Sequence, residues 1–318
     1  MRARNKRLLV TGGAGFIGSH LCDKLLERRP ERIVVLDDFS LGKMENLTQL
    51  KQLDCVEIVK IDASDYEAMR KLYSAMDIDV TFNLAVIPLP ASLKEPKRVI
   101  DMNILITSNL CDLLQRGYYD TLIHTSSSEA YGTAIYMTMN EDHPTQPITP
   151  YAASKLACDH IALSYHMTFG LDIAIVRPFN CYGPRQNEKS YAAVIPITIN
   201  RILAGEPPII QGDGQQTRDF SYVEDIAEAI PKIYELPSTR GRVINLATGK
   251  EMSIHNLIHM IMKLMDYSGP VIKEPSRRGD VRRHCGDISL ARRLMGYAPK
   301  TGYEEGLRRT IEWYRKSR

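Results

Sequence analysis

The sequence predicts an α/β fold: a doubly wound parallel sheet with a smaller, mostly C-terminal substrate-binding lid domain beside it. Short runs rich in Val, Ile and Leu alternate with longer stretches of helical spacing through the first 177 residues. That alternation implies right-handed crossovers between parallel strands. A turn containing several glycines lies between the first strand and the first helix. After Arg177 the texture changes, because Pro178, Pro184, Pro196, Pro207 and Pro208 break the chain into loops and short elements. Residues 1–177 therefore read as one domain and residues 178–318 as a second, partly interleaved with it, the first taking back short segments from the C-terminal half.

Lys6 to Thr11 is rich in Leu and Val and reads as a buried strand. Gly12-Gly13-Ala14-Gly15-Phe16-Ile17-Gly18 follows at once, and Ser19 to Arg28 has helical spacing. Strand, glycine turn and helix form the context of a dinucleotide site, here spaced G-x-x-G-x-x-G. Gly12 permits the tight turn, Gly15 lets the backbone approach a pyrophosphate at the helix N-terminus, and Gly18 lets the helix pack on the strand. Phe16 and Ile17 complete the same turn. The second strand, Arg32 to Leu36, ends in Asp37-Asp38. An acid there accepts hydrogen bonds from the adenosine ribose and repels a 2′-phosphate, so the expected cofactor is NAD.

Val56 to Lys60 reads as a third strand, followed by Ile61-Asp62, where the acid would meet the adenine. Tyr66 to Ala75 has helical spacing, Val80 to Leu84 is a fourth strand, and Pro96 to Gln115 is a long amphipathic helix containing Asn103. Thr121 to Thr125 is a fifth strand running into Ser126-Ser127-Ser128-Glu129. A helix from Tyr151 to about Phe169 precedes the sixth strand, Ile173 to Arg177. In the second half, Ser253 to Met265 and Glu304 to Arg315 read as amphipathic helices.

Composition narrows the function classes. The 318 residues are 44% hydrophobic and 25% charged, with a formal net charge of +3, which gives no pull toward nucleic acid or an acidic membrane. The six cysteines form no C-x-x-C and read as reduced thiols of a cytoplasmic protein. Only Leu8-Leu9-Val10 follows the basic N-terminus, too short for a signal segment, and no apolar run approaches the ~20 residues of a membrane span. His255-x-x-x-His259 has metal-ligand spacing but lacks the Glu of H-E-x-x-H, and its Leu, Ile and Met neighbours suggest a packing helix. No metal is expected. Met260, Met262 and Met265 read as packing residues too, and His124 as a structural one.

The chemistry centres on Thr149-Pro150-Tyr151-Ala152-Ala153-Ser154-Lys155. Residues four apart on a helix share a face. A cation that close to a phenol favours the phenolate, so the Tyr151 pKa is expected to fall toward neutral. Tyr151 then serves as general base toward a sugar or alcohol hydroxyl. Y-x-x-x-K alone is weak; a preceding dinucleotide site and a nearby hydroxyl residue strengthen it, and both are present.

These segments together resemble the extended short-chain dehydrogenase/reductases of the NAD-dependent nucleotide-sugar epimerase/dehydratase family, over nearly the whole length. The matching residues are Gly12 to Gly18, Asp37-Asp38, Asn103, Ser126 to Gly132, Tyr151 with Lys155, Arg177 to Pro184, Gly212-Asp213-Gly214, Arg218-Asp219-Phe220 and Arg282. The resemblance implies a Rossmann domain and a UDP-, dTDP- or GDP-linked sugar as substrate. Tyr151 would take the sugar O4 proton, Lys155 would hold the nicotinamide ribose, and Ser127 would hydrogen-bond O4. Asn103 would join the cofactor set. Asn180, Arg185, Arg218 and Arg282 would bind substrate, arginine being suited to diphosphate. Arg282 by itself would read as a solvated charge in the basic run Arg277 to Arg283. A homodimer through the two long helices is also implied.

Glu129 selects among the family's reactions. Oxidation at C4 makes the C5 proton acidic, and a carboxylate placed there can remove it as O6 leaves. Ser128-Glu129 resembles the acid/base pair of the sugar 4,6-dehydratases, with Ser128 where dTDP-glucose dehydratases carry Asp. A 4,6-dehydratase is the expected activity. A UDP-sugar 4-epimerase, which usually has no carboxylate here, and a UDP-glucuronate decarboxylase, which has a similar Glu, are the alternatives. A non-catalytic NAD-binding regulator is disfavoured by the intact Ser127, Tyr151 and Lys155.

Overall fold

The computed structural model describes residues 3–188, 193–276 and 279–317. Seven strands form one parallel sheet: β1 (Arg7–Thr11), β2 (Arg32–Asp37), β3 (Val56–Lys60), β4 (Val80–Asn83), β5 (Thr121–Thr125), β6 (Asp172–Pro178) and β11 (Val243–Leu246). Their order is β11-β6-β5-β4-β1-β2-β3. Helix α1 (Phe16–Leu26) follows β1, α2 (Tyr66–Met76) follows β3, α3 (Leu89–Ser92) and α4 (Pro96–Gln115) follow β4, and α5 (Pro150–Phe169) follows β5. The second half supplies β7 (Cys181–Tyr182), α6 (Val194–Leu203), β8 (Ile209–Gln211), β9 (Thr217–Arg218), β10 (Ser221–Tyr222) and α7 (Val223–Glu235). After β11 come β12 (Met252–Ser253), α8 (Ile254–Leu264), β13 (Ile272–Glu274), α9 (Ser289–Met295) and α10 (Tyr303–Lys316).

Strand side chains alternate between the two faces, and each face buries its own core. Leu8, Val10, Ile33 and Val35 join one cluster with α1 and α7; Leu9, Val34 and Leu36 join the other with α2, α4 and α5. Each fully buried Leu, Ile or Val is worth about 1.5–3 kcal/mol. A third cluster, off the sheet, joins Ile195 and Ile199 of α6, Leu257, Ile258 and Ile261 of α8, and Leu307 and Ile311 of α10. Met260, Met262 and Met265 pack there.

Local signals set the helix ends that matter for the site. The Thr149 hydroxyl accepts from Ala152 N–H, Pro150 takes the first helical position and Gly170 closes α5 at φ +68°. α1 starts at Phe16, earlier than the Ser19 start its spacing suggested, because the glycine turn feeds it without a break.

The second half contributes a strand to the main sheet and holds helices of its own. β11 returns to the main sheet as its edge, pairing Val243 with Ile175 and Leu246 with Pro178. Four residues between turns carry too little periodicity to announce a strand. α6 spans Pro196, one of the prolines read as breaking the chain, and α7 was not anticipated as a helix. Pro196 lies in the first turn of α6, where a missing N–H costs nothing. Pro231 is inside α7, but Val223, Ile226, Ala227, Ile230, Ile233 and Tyr234 bury one face of that helix. Their burial outweighs the ~3 kcal/mol cost of an interior proline.

Candidate active site

Thr11, Asp37, Asn83 and Thr125 end four adjacent strands and lie along the carboxyl edge of the sheet. A cavity of about 450 Å³ opens there. Crevices outside the carboxyl ends of parallel strands are where such sheets bind ligands.

The glycine turn forms one wall. Gly12 has φ +64°, and a Cβ on it would lie 2.9 Å from the backbone of Leu84 and Ala85. A Cβ on Gly18 would lie 2.1 Å from the Gly12 carbonyl oxygen, so only glycine lets α1 approach this closely. Gly15 is the N-cap of α1 and no side chain caps that end, which leaves the first N–H groups and the positive end of the helix for an anion. Phe16 and Ile17 also line the cavity.

Asp37 is buried, and its carboxylate accepts from Ala14 N–H and Phe39 N–H at 2.9 Å each. Burial raises its pKa, and those N–H groups oppose the rise. Asp38 and Asp62 are exposed at the rim; each accepts from the backbone and hydroxyl of the serine two residues on, Ser40 and Ser64. These residues fit a dinucleotide: an uncapped helix N-terminus for pyrophosphate and carboxylates for ribose and adenine. Asn103 is not among the residues that line the cavity. Its amide oxygen accepts from Ile87 N–H and its nitrogen donates to Ile87 O and Ser154 Oγ, so its polar atoms tie α4 to the loop after β4 and to α5.

Tyr151, Lys155, Ser127, Ser128 and Glu129 all line the same cavity. Ser127 caps the 3-10 turn Ser128–Tyr131 by accepting from Glu129 N–H at 3.2 Å. Glu129 is half-buried. Burial raises its pKa, the Arg218 charge opposes this and Asp280 adds to it. The expected neutral-range phenol is not found. Burial raises the Tyr151 pKa, the Ser127 hydroxyl pulls it down, and the nearby Glu129 charge pushes it up. Lys155 Nζ donates to the Thr125 carbonyl at 2.6 Å, and burial lowers its own pKa. Helical spacing put the two residues on one face, but the buried Thr125 oxygen took the ammonium.

The substrate residues do not assemble as one set. Asn180 and Arg185 line the cavity. Arg185, however, pairs with Asp23 of α1 at 2.7 Å, on the glycine-turn side. Arg218 is buried, donates to Thr217 O and Val281 O, and pairs with Asp280. Arg282 is exposed and pairs with Asp213 at 2.9 Å. Neither Arg218 nor Arg282 lines the cavity, because acidic partners within reach compensate each guanidinium where it stands. Arg277 and Arg278, of the same basic run, lie outside the described residues.

His284 was not singled out by sequence. It is fully buried, lies 3.3 Å from Asn180 Nδ2 through Nδ1, and contacts Ser128 O at 3.0 Å through Nε2. Burial pulls its pKa down to about 3, so the ring is neutral and braces Asn180 against the Ser128 turn. No local pattern marks such a residue. The rings of His255 and His259 lie 4.1 Å apart on α8, and among the described residues no group of three or more His, Cys, Asp or Glu is placed to hold a metal ion. No helix among them is long and apolar enough to cross a membrane.

A family model described as GDP-mannose 4,6 dehydratase matches residues 9–310. The chain is 35% identical to a putative UDP-glucose 4-epimerase of Methanocaldococcus jannaschii over 98% of this chain and 99% of the relative. A UDP-glucose 4-epimerase from Thermotoga maritima, solved with UDP-glucose, superposes with a TM-score of 0.92 at 32% identity, covering 98% of this chain and 99% of that one. A dTDP-glucose 4,6-dehydratase from Streptomyces venezuelae, solved with NAD, superposes with a TM-score of 0.92 at 29% identity, over 98% of both chains.

Proposed function

This chain belongs to the NAD-dependent nucleotide-sugar epimerase/dehydratase family, and from that premise we propose that it is a nucleotide-sugar 4,6-dehydratase working through a 4-keto sugar. One observation carries the reading: Glu129 lines the cavity beside Tyr151 and Ser127, so a sugar bound there would meet both the phenol and the carboxylate.

The cofactor is NAD, and when bound it accepts a hydride from C4 and later returns it. Gly12, Gly15 and Gly18 let the backbone approach its pyrophosphate, and Asp37 faces its ribose. For Tyr151 to take the O4 proton its buried phenol must first ionise, which the positive charge of a bound nicotinamide ring would favour; the Ser127 hydroxyl, which already lowers the phenol's pKa, stands beside it. The 4-keto group then acidifies C5, and Glu129 removes that proton. Its burial-raised pKa makes it a stronger base than an exposed carboxylate. O6 takes a proton, from Glu129 itself or through the Ser128 hydroxyl, and leaves as water; returning the hydride to C6 and a proton to C5 would complete a 4-keto-6-deoxy sugar. Asn180 and Arg185 hold the nucleotide sugar from the second half of the chain.

A 4-epimerase is the second reading, favoured by the names of the Methanocaldococcus and Thermotoga relatives. It assigns no proton transfer to Glu129. A panel of UDP-, dTDP- and GDP-sugars analysed by mass spectrometry separates the two: loss of water supports the dehydratase, unchanged mass with inverted C4 supports the epimerase, and loss of carbon dioxide would displace both.

A further inference from the structure

Beneath the cavity a chain of buried hydrogen bonds crosses the carboxyl ends of the strands, and it has a direction. Leu84 N–H and Ala85 N–H both donate to Thr11 Oγ1 at 3.2 Å. The Thr11 hydroxyl proton goes on to Asn83 Oδ1 at 2.7 Å. That orients the Asn83 amide, whose nitrogen donates to His124 Nδ1 at 3.0 Å. His124 therefore carries its proton on Nε2, which lies 3.8 Å from Asp159 Oδ1. Neither of those two atoms has a hydrogen-bond partner among the described residues.

Asp159 is the hub. It is 1% exposed, and its Oδ2 accepts from Ser126 Oγ at 2.8 Å and from Arg177 Nε and Nη2 at 3.0 and 2.7 Å. Arg177 in turn lies over the Tyr131 ring at 4.5 Å, and the Tyr131 hydroxyl donates to Asn245 Oδ1 of β11 at 2.9 Å. The sequence neighbours explain why this matters. Asp159 follows Lys155 by one turn of α5, Ser126 directly precedes Ser127, Tyr131 ends the turn that carries Glu129, and Thr11 directly precedes Gly12.

We propose that Asp159 is a positioning residue: by holding Ser126 against α5 it fixes Ser127 and Glu129 relative to Tyr151 and Lys155, and its charge faces His124 Nε2 at 3.8 Å, at the end of the chain of bonds from the cofactor turn. The inference rests on the catalytic roles given above to Tyr151, Ser127 and Glu129. Charge-assisted bonds in a dry interior are strong enough to hold such a register. A displacement of about 1 Å in a reacting group costs on the order of a hundredfold in rate.

Ser126→Ala removes one of the three bonds to Asp159 Oδ2 and leaves the Arg177 pair in place. Its kcat should fall roughly tenfold, with KM, retained NAD and melting temperature near wild type, and Ser126→Thr should recover the rate. Asp159→Asn turns an amide N–H toward the His124 donor and should lose on the order of a hundredfold in kcat. Histidine nitrogen NMR at pH 7 should report His124 as the neutral Nε2–H tautomer. A Ser126→Ala enzyme at wild-type kcat overturns the proposal, as does a parallel loss of kcat, KM, NAD and melting temperature, which would mark a merely structural contact. An Nδ1–H tautomer overturns it as well. Wild-type protein that turns over no nucleotide sugar would sink the functional reading instead, and the tautomer, read without turnover, then decides the network.

Discussion

Glu129 divides the reaction at the level of one side chain. Glu129→Gln should bind nucleotide sugar and still permit hydride transfer to NAD, then stall, because an amide cannot accept the C5 proton. Absorbance of NADH should build up in the mixed sample, and exchange of the C5 hydrogen with deuterated solvent should vanish. Conversion at close to the wild-type rate would return Glu129 to a loop role and favour the epimerase. Tyr151→Phe removes the proton acceptor and little else. It should cost roughly 10²–10⁴ in rate while denatured protein still releases NAD, and activity within a few-fold of wild type would mean Tyr151 is not the base. His20 gives a pH signature. Burial holds its pKa at about 4 in the folded protein, where its Nε2 meets Pro184 O at 3.0 Å. The unfolded chain takes up that proton first, near pH 6.5, so the neutral ring's contribution is present above that pH and lost as pH falls toward 4. Relative to His20→Gln, wild type should lose roughly 2 kcal/mol between about pH 7.5 and pH 5, read from denaturation midpoints; a constant gap across that window would refute the buried neutral histidine.

Helix and turn act as units in the cofactor wall. α1 reaches the strands only because Gly18 has no side chain, its would-be Cβ lying 2.1 Å from a backbone oxygen that cannot swing aside. Gly18→Ala must push α1 away from the turn, at a cost of about 1–3 kcal/mol, and the purified protein should carry little NAD. Wild-type NAD content in that variant would show that the close approach is not needed. α5 is set by its own ends, Thr149, Pro150 and Gly170, and the face that carries Tyr151 and Lys155 was readable in sequence. Its partners were not. Lys155 meets Thr125 and Asp159 meets Ser126 and Arg177, all contributed by strands or their ends.

On the scale of the whole molecule, α4 and α5 pack against each other and leave Leu105, Met167 and Phe169 exposed, at 42%, 82% and 51%. We propose that a second copy covers this face in a homodimer. Light scattering at micromolar concentration should give twice the protomer mass, and Met167→Glu with Phe169→Glu should halve it; a wild-type monomer would refute the pairing. The second half of the chain lends β11 to the sheet and Asn180, Arg185 and His284 to the site or its support.

What the sequence determined by itself is what consecutive residues encode: the parallel α/β class from alternating periods, the cofactor turn from its glycines, the acid after β2, and the helix that presents Tyr151 and Lys155. Turn dihedrals, caps and periodicity depend on near neighbours, so they are written locally. Tertiary structure alone decided which partner each buried polar group found. Asn103 went to Ile87 and Ser154, Arg218 to Asp280, and Lys155 to the Thr125 carbonyl, while the exposed Arg282 paired with Asp213. The same burial raised the Tyr151 pKa that helical spacing alone predicted would fall. A buried donor or charge must be satisfied by whatever the packed elements bring within about 3 Å, and that choice is made between segments far apart in the chain.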